Sequence, residues 1–215
     1  MKKSQRLQKI DEMVTQKYDH IWDCCCDHGL LGMSLLERRV TGVVHFVDVV
    51  ETLILGLTES LKTYADGLQW QTHCIDVAQL PLSKNESHLI IIAGVGGDLL
   101  IDLVGSITNK YPELNLEFIL CPVHHNYQVR EALINLNYSL VNESLVKENK
   151  RFYEIIHVVR HGNQSLSLTG SEMWDFKRVE DREYLQLILA HYERMGNNPS
   201  LNVQPILTAY RKLNS

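Results

Sequence analysis

Apolar positions along the chain switch repeatedly between helical and strand spacing. Leu7, Ile10, Met13 and Val14 recur one helical turn apart and predict an amphipathic first helix over residues 4–16. Residues 20–26 read as an apolar strand and 29–38 as the helix after it; residues 42–48 (GVVHFVD) and 52–64 repeat the pair. A short third strand is predicted over 69–75. The run HLIIIA at 88–93 is apolar throughout, as expected of a central strand buried on both faces. A glycine turn and a helix over 98–108 follow, then a fifth strand over 117–121 stopped by Pro122 and a helix over 127–137. Residues 138–147 and 152–160 read as a β-hairpin around Glu148-Asn149-Lys150. Strands alternating with helices and then an antiparallel pair predict an α/β fold, a doubly wound sheet ending in a hairpin. The Gly-, Ser- and Asn-rich stretch 161–170 (HGNQSLSLTG) reads as a linker, and helices over 179–195 and 205–213 form a small helical tail. The expected division is a main domain over 1–161 and an extension over 162–215.

With 215 residues, 45% of them hydrophobic and 22% charged, the chain suits one substantial domain and is not disordered. No apolar run approaches the roughly 20 residues of a membrane helix, and the polar start has no apolar signal core. The expectation is a soluble cytoplasmic protein with no membrane partner. Five cysteines, three of them consecutive at 24–26, do not make a disulfide framework and point to reduced thiols. Strand neighbours face opposite ways and no CxxC pair exists, so a metal site is not expected.

Charge is uneven. The formal net charge of −5 arises because residues 21–146 hold six basic against fifteen acidic groups, while both ends are net positive. A nucleic-acid partner would therefore be gripped by the ends, although solvated helix faces account for the same asymmetry.

In an open parallel sheet, ligands bind beyond the carboxyl ends of the strands. The first strand ends at Asp23-Cys24-Cys25-Cys26-Asp27-His28-Gly29, an acid, a turn and a glycine entering a helix. GxGxxG and the P-loop lysine are both missing, which disfavours NAD and ATP. S-adenosylmethionine (SAM) carries no phosphate and has a cationic sulfur and amine, so an acidic centre suits it. Asp48 ends the second strand with Glu51 close behind, and Asp76 follows the third. Such acids accept from ribose hydroxyls or an adenine amino group; the same acids also serve as helix caps. Ala93-Gly94-Val95-Gly96-Gly97 follows the fourth strand, where glycines allow close backbone approach or simply form a turn. Cys121-Pro122-Val123-His124-His125-Asn126 closes the same rim, with His and Asn either holding a planar base or standing at the surface.

The order of these pieces resembles the bacterial tRNA adenine-N1 methyltransferases that modify position 22. SQRLQKI is similar to that family's RL-containing first helix, DCCCDHGLL to its D-I-G-S-D-H-A-Y-L, and IAGVGG to its I-A-G-M-G-G. Arg130-Glu131 with Leu133, and Phe152-Tyr153-Glu154-Ile155, match its R-E-W-L and Y-E-V segments. The resemblance covers roughly residues 4–160. Two positions depart from it: Cys25 replaces the motif glycine, and Cys121-Pro122-Val123 replaces Q-P-N, so the asparagine that would face the target base is absent.

The resemblance implies a Rossmann-like class I methyltransferase fold, seven strands with the last antiparallel, SAM as methyl donor and N1 of a tRNA adenine as acceptor. It places Asp23, Cys25, Gly29, Asp48, Val49, Asp76, Val77, Ala93, Gly94 and Gly96 around the cofactor. Asp23 and Gly94 would face the methionine part, Asp48 the ribose and Asp76 the adenine. Asp27, assisted by His28, would act on the target base's amino proton or growing charge, with Asn126 standing in for the missing asparagine. Lys3, Arg6, Lys9, Arg178 and Arg182 would meet tRNA phosphates. Competing classes are a methyltransferase acting on a small molecule or protein, distinguished by lack of salt-dependent tRNA binding, and a non-catalytic binding protein, distinguished by failure to bind SAM.

Overall fold

The computed structural model describes residues 3–214, so the polar start at Met1 and Lys2 lies outside the described residues. Five parallel strands are β1 (Tyr18–Cys24), β2 (Thr41–Asp48), β3 (Trp70–Cys74), β4 (His88–Ala93) and β5 (Glu117–Cys121). The hairpin strands are β6 (Tyr138–Glu148) and β7 (Arg151–Arg160). They form one seven-stranded sheet in the order β3-β2-β1-β4-β5-β7-β6. β7 inserts antiparallel between β5 and β6.

Helices α1 (Gln5–Met13), α2 (Leu30–Arg38) and α3 (Glu51–Tyr64) pack on one face, and α4 (Gly97–Lys110) and α5 (Asn126–Asn135) on the other. β4 shows why its sequence is apolar throughout: Leu89 and Ile91 enter the first core, Ile90 and Ile92 the second, and all four are fully buried. Asp11 ties α1 to α2 by accepting from Lys3, Ser34 (2.6 Å) and Arg38.

Several element ends differ from expectation for local reasons. α1 stops at Met13, where the Val14 amide folds back to the Asp11 carbonyl. β1 begins at Tyr18, paired with Thr41, and ends at Cys24, because Cys25 turns left-handed with φ 55°. The hairpin turn is two residues, Asn149 and Lys150, both at positive φ (48° and 66°), the geometry that matches the twist of paired strands.

The stretch after β7 runs against the sheet edge. Gln164 bridges to Leu140, Leu166 and Met173 are buried, and Glu143 accepts the amides of Ser171 (2.5 Å) and Glu172 (2.6 Å). Helices α6 (Val179–Met195) and α7 (Gln204–Arg211) then pack on Tyr127 of α5. The attachment is anchored by a buried ionic group: Arg130 meets Glu143 at 2.7 Å and Glu154 at 2.8 Å, and Tyr184 of α6 donates to Glu154 at 2.8 Å. Among the described residues no helix is long and apolar enough to cross a membrane.

Candidate functional site

β1 and β4 are sheet neighbours whose connections leave toward opposite edges, so a crevice opens beyond their carboxyl ends. A cavity of about 270 Å³ occupies that crevice, lined by Arg6, the loop from Asp23 to His28, Leu30, Leu31, Ala93 and Gly94. A larger cleft of about 450 Å³, between Tyr18, Glu86 and Glu117, lies at the strands' opposite end and shares none of these residues.

The loop after β1 is shaped by three left-handed residues in alternation, Cys25, Asp27 and Gly29, with φ of 55°, 50° and 67°. It splits the cysteine triplet between layers: Cys24 enters the core on the α4 side and Cys26 the core on the α2 side. The sulfurs are thus dispersed by a broken strand rather than by strand alternation. All five cysteines are free thiols, and among the described residues no cluster of His, Cys, Asp and Glu is placed to hold a metal.

Asp23 is buried beneath the loop and accepts the Gly32 amide at 2.9 Å. Burial is the main cause that pushes its carboxyl up to about 7; the Asp48 charge adds to this and the Gly32 amide opposes it. Asp48 receives the amide of Asp27 at 3.2 Å on one oxygen and that of Val50 at 3.0 Å on the other. The Cys25 thiol is raised to about 11 by burial first and then by the charges of Asp48, Asp23 and Asp76. Asp76 also caps a short 3₁₀ turn through the Ala78 amide (2.9 Å). Asp27 and His28 are exposed at the cavity mouth, 3.6 Å apart.

The remaining anticipated residues divide by location. Ala93 and Gly94 line the cavity. A side chain on Gly29 would collide with Leu57 at 2.8 Å, so this glycine serves the packing of α2 against α3. Val49 is exposed beside Asp48, whereas Val77 turns into the core. Gly96 lies under the His124 ring, where a Cβ would come within 2.9 Å, and so lets the loops after β4 and β5 meet. Asn126 does not reach this cavity; it lines a separate cleft against α6.

Arg6 is the cavity residue whose place in the site the sequence did not reveal. Its guanidinium lies 5.0 Å over the Tyr153 ring and about one van der Waals contact from the Cβ position of Gly94 (3.6 Å), and its Nε is buried without a hydrogen-bond partner. The signals in the sequence are a cation beside the apolar stripe of α1 and its place in the SQRLQKI segment, and neither says that it reaches this cavity. The other basic residues expected to face phosphates are engaged within the fold: Lys3 with Asp11 and Ser34, Lys9 with Glu12, Arg178 with Asp181, Arg182 with the Phe176 carbonyl.

A crevice with buried carboxylates, an unsatisfied guanidinium and a left-handed glycine (Gly94, φ 88°) suits a ligand that carries both cationic centres and a carboxylate. On this sheet order, that combination defines the class of SAM-binding, Rossmann-like methyltransferase folds. Residues 3–156 match the Methyltransferase domain family, and the chain belongs to it. It is 26% identical over 175 residues to the tRNA (adenine(22)-N(1))-methyltransferase of Bacillus subtilis, covering 79% of this chain and 70% of that one. The solved structure of the B. subtilis m1A22 tRNA methyltransferase TrmK superposes with a TM-score of 0.75 at 20% identity, over 99% of this chain and 94% of that one. That of M. capricolum TrmK with S-adenosylhomocysteine superposes with 0.76 at 17% identity, over 98% and 97%.

Proposed function

We propose that the protein is a SAM-dependent methyltransferase that methylates N1 of an adenine in tRNA. The observation that carries the cofactor reading is the cavity beyond β1 and β4, where the loop that starts at Asp23 and is tied to Asp48 through the Asp27 amide shares its walls with Arg6, whose Nε is unpaired. The tRNA reading is supported by the likeness, over almost the whole chain, to methyltransferases named for that substrate. Residues 1–161 hold cofactor and chemistry and 162–215 extend the substrate surface. The free thiols and the absence of a membrane-length helix among the described residues support a cytoplasmic setting.

When bound, SAM supplies an activated methyl group on a cationic sulfur. Arg6 pairs with the ligand's carboxylate, Asp23 faces its ammonium, and Asp48 accepts from the ribose hydroxyls with the lone pairs its two amide partners leave free. Val49 and the Asp76 carboxylate flank the adenine, while the backbone of Ala93 and Gly94 bounds the transfer channel. Adenine N1 is a weak nucleophile whose methylation acidifies the adjacent amino group. Asp27, at the mouth with His28, accepts that amino proton or stabilises the charge developing on the ring. Placing the two reactants in line and excluding water is the remaining contribution of the walls.

The test is methyl transfer from labelled SAM to unmodified tRNA with wild type and Asp27→Ala in parallel. N1-methyladenosine from wild type, with at least a hundredfold loss in the variant, is the expected result. Equal labelling by both removes Asp27 from the chemistry. SAM binding without transfer to tRNA moves the substrate to another class.

A further inference from the structure

Beyond the cofactor cavity the surface continues along two joined clefts that the methyl-transfer reading leaves unused. The first, about 290 Å³, runs from Tyr153 to the hairpin tip and is lined by Val123, Lys150, Arg151 and Phe152. It begins where the cavity ends, since Tyr153 carries the Arg6 guanidinium on its ring. The second, about 280 Å³, lies between the start of α5 and helices α6 and α7, and shares Tyr184 and Leu187 with the first. Its walls are aromatic, with His124, His191, Tyr192 and Tyr210 among them.

Two observations specify what these clefts accept. Lys150, on the two-residue turn, and Arg151, the first residue of β7, are exposed, and among the described residues neither side chain has a hydrogen-bond or ion-pair partner. Inside the aromatic cleft, Asn126 Nδ2 donates to the Tyr184 hydroxyl at 3.1 Å, and that hydroxyl donates to Glu154. The chain of donors fixes the amide's orientation and leaves Asn126 Oδ1 buried with nothing to accept. A buried acceptor without a donor is costly until a ligand supplies one.

Resting on the tRNA reading above, we propose that the Asn126–Tyr184 cleft receives a second nucleobase of the RNA, unstacked from the strand beside the methylated adenine. Its π faces lie against tyrosine and histidine rings, and an exocyclic amino N–H donates to Asn126 Oδ1. The intervening phosphates meet Lys150 and Arg151. This makes Asn126 a specificity residue for a neighbouring nucleotide rather than a contact to the target base.

The experiment uses the full chain, SAM and an unmodified tRNA transcript. Leu187, about half exposed at the junction of the clefts, is replaced in Leu187→Glu, which puts an anion where RNA must pass; Lys150→Glu/Arg151→Glu removes the phosphate contacts. In both, kcat/KM for tRNA falls at least tenfold, mainly through KM, while SAM affinity stays within twofold and the thermal midpoint is unchanged; Leu187→Met restores the wild-type value. Abasic substitution of the nucleotides flanking the target, one at a time, finds one position that costs wild type about tenfold and Leu187→Glu less than twofold. If wild type methylates tRNA and Leu187→Glu keeps kcat/KM within twofold, or if no abasic position separates them, the second base site is wrong while the tRNA reading stands. If wild type binds SAM and leaves tRNA unmethylated, both fall, and the cleft belongs to another partner such as an apolar peptide.

Discussion

Asp48, the last residue of β2, accepts the backbone amide of Asp27 at 3.2 Å, so the acid that the proposed function assigns to ribose also holds the turn that presents the proposed base. On that assignment, cofactor affinity and catalytic geometry are coupled through one carboxylate. Asp48→Ala should weaken SAM binding at least tenfold and also lower kcat at saturating SAM. Asp48→Asn, which keeps one carbonyl oxygen as acceptor, should lose affinity with a smaller effect on kcat. Calorimetry and single-turnover rates for the two variants separate the roles; an unchanged kcat in both would uncouple the turn from Asp48.

The Asp23 carboxyl, raised to about 7 by burial and the Asp48 charge, binds its proton more tightly in the folded protein than in the unfolded chain. Its contribution to stability is therefore full below the unfolded value near 3.8 and is lost as pH rises through 7. Asp23→Asn should gain on the order of 3 kcal/mol over wild type at pH 8 and nothing near pH 4, measured by urea unfolding without SAM. The same proton must leave when a cation binds. SAM affinity should fall as pH drops below 7, and binding at pH 6.5 should release a proton detectable by calorimetry in buffers of different ionisation enthalpy.

Histidines on the sheet act with the opposite sign. His20, His45 and His73, on adjacent strands, are joined at 2.8 and 2.9 Å, with Glu86 3.0 Å from the outer nitrogen of His20 and Trp22 stacked on His45 at 3.8 Å. Burial first, then the neighbouring imidazoles, lowers His45 to about 3. The neutral form is favoured on folding, so its stability contribution is present above about 6.5 and lost as pH falls toward 3, roughly 3 kcal/mol between pH 6.5 and 4. His45→Gln should be less stable at pH 8 and should lose less on acidification. A wild-type acid limb equal to that of the variant would count against the histidine chain as its source.

Cys25 occupies a left-handed position in the wall of the cavity, and burial first raises its thiol to about 11. Left-handed backbone costs a non-glycine residue about 1–2 kcal/mol, which glycine avoids while paying more entropy in the unfolded chain. Cys25→Gly should change stability by less than about 1 kcal/mol and tighten SAM binding severalfold by clearing the ligand's path. Cys25→Leu should weaken binding at least tenfold.

Arg130, Glu143 and Glu154 are fully enclosed between α5, the hairpin and α6. Arg130→Leu leaves two anions without their cation and should cost about 3–5 kcal/mol by urea unfolding. Trp174, stacked on Tyr184, should report early loss of the tail by its fluorescence.

Hydrophobic spacing alone determined the alternating elements, the doubly buried β4 and the closing hairpin, because burial on one face or two writes a local period into the chain. The acids at strand ends were legible for a similar reason: in a parallel sheet the carboxyl ends share one rim, so Asp23, Asp48 and Asp76 come to the same edge of the sheet. Three features were decided only by tertiary structure. Arg6 joins the site because α1 folds across the crevice onto Tyr153, a contact about 150 residues away in sequence. Asn126, next to the rim in sequence, is drawn toward Tyr184 by a helix some 60 residues later. The stretch read as a linker is held on the sheet edge by the Leu140 amide, which donates to the Gln164 carbonyl, and by Arg130, which donates to that of Ser167. In each case the deciding partner is distant along the chain, and spacing in a sequence records only what neighbouring residues require.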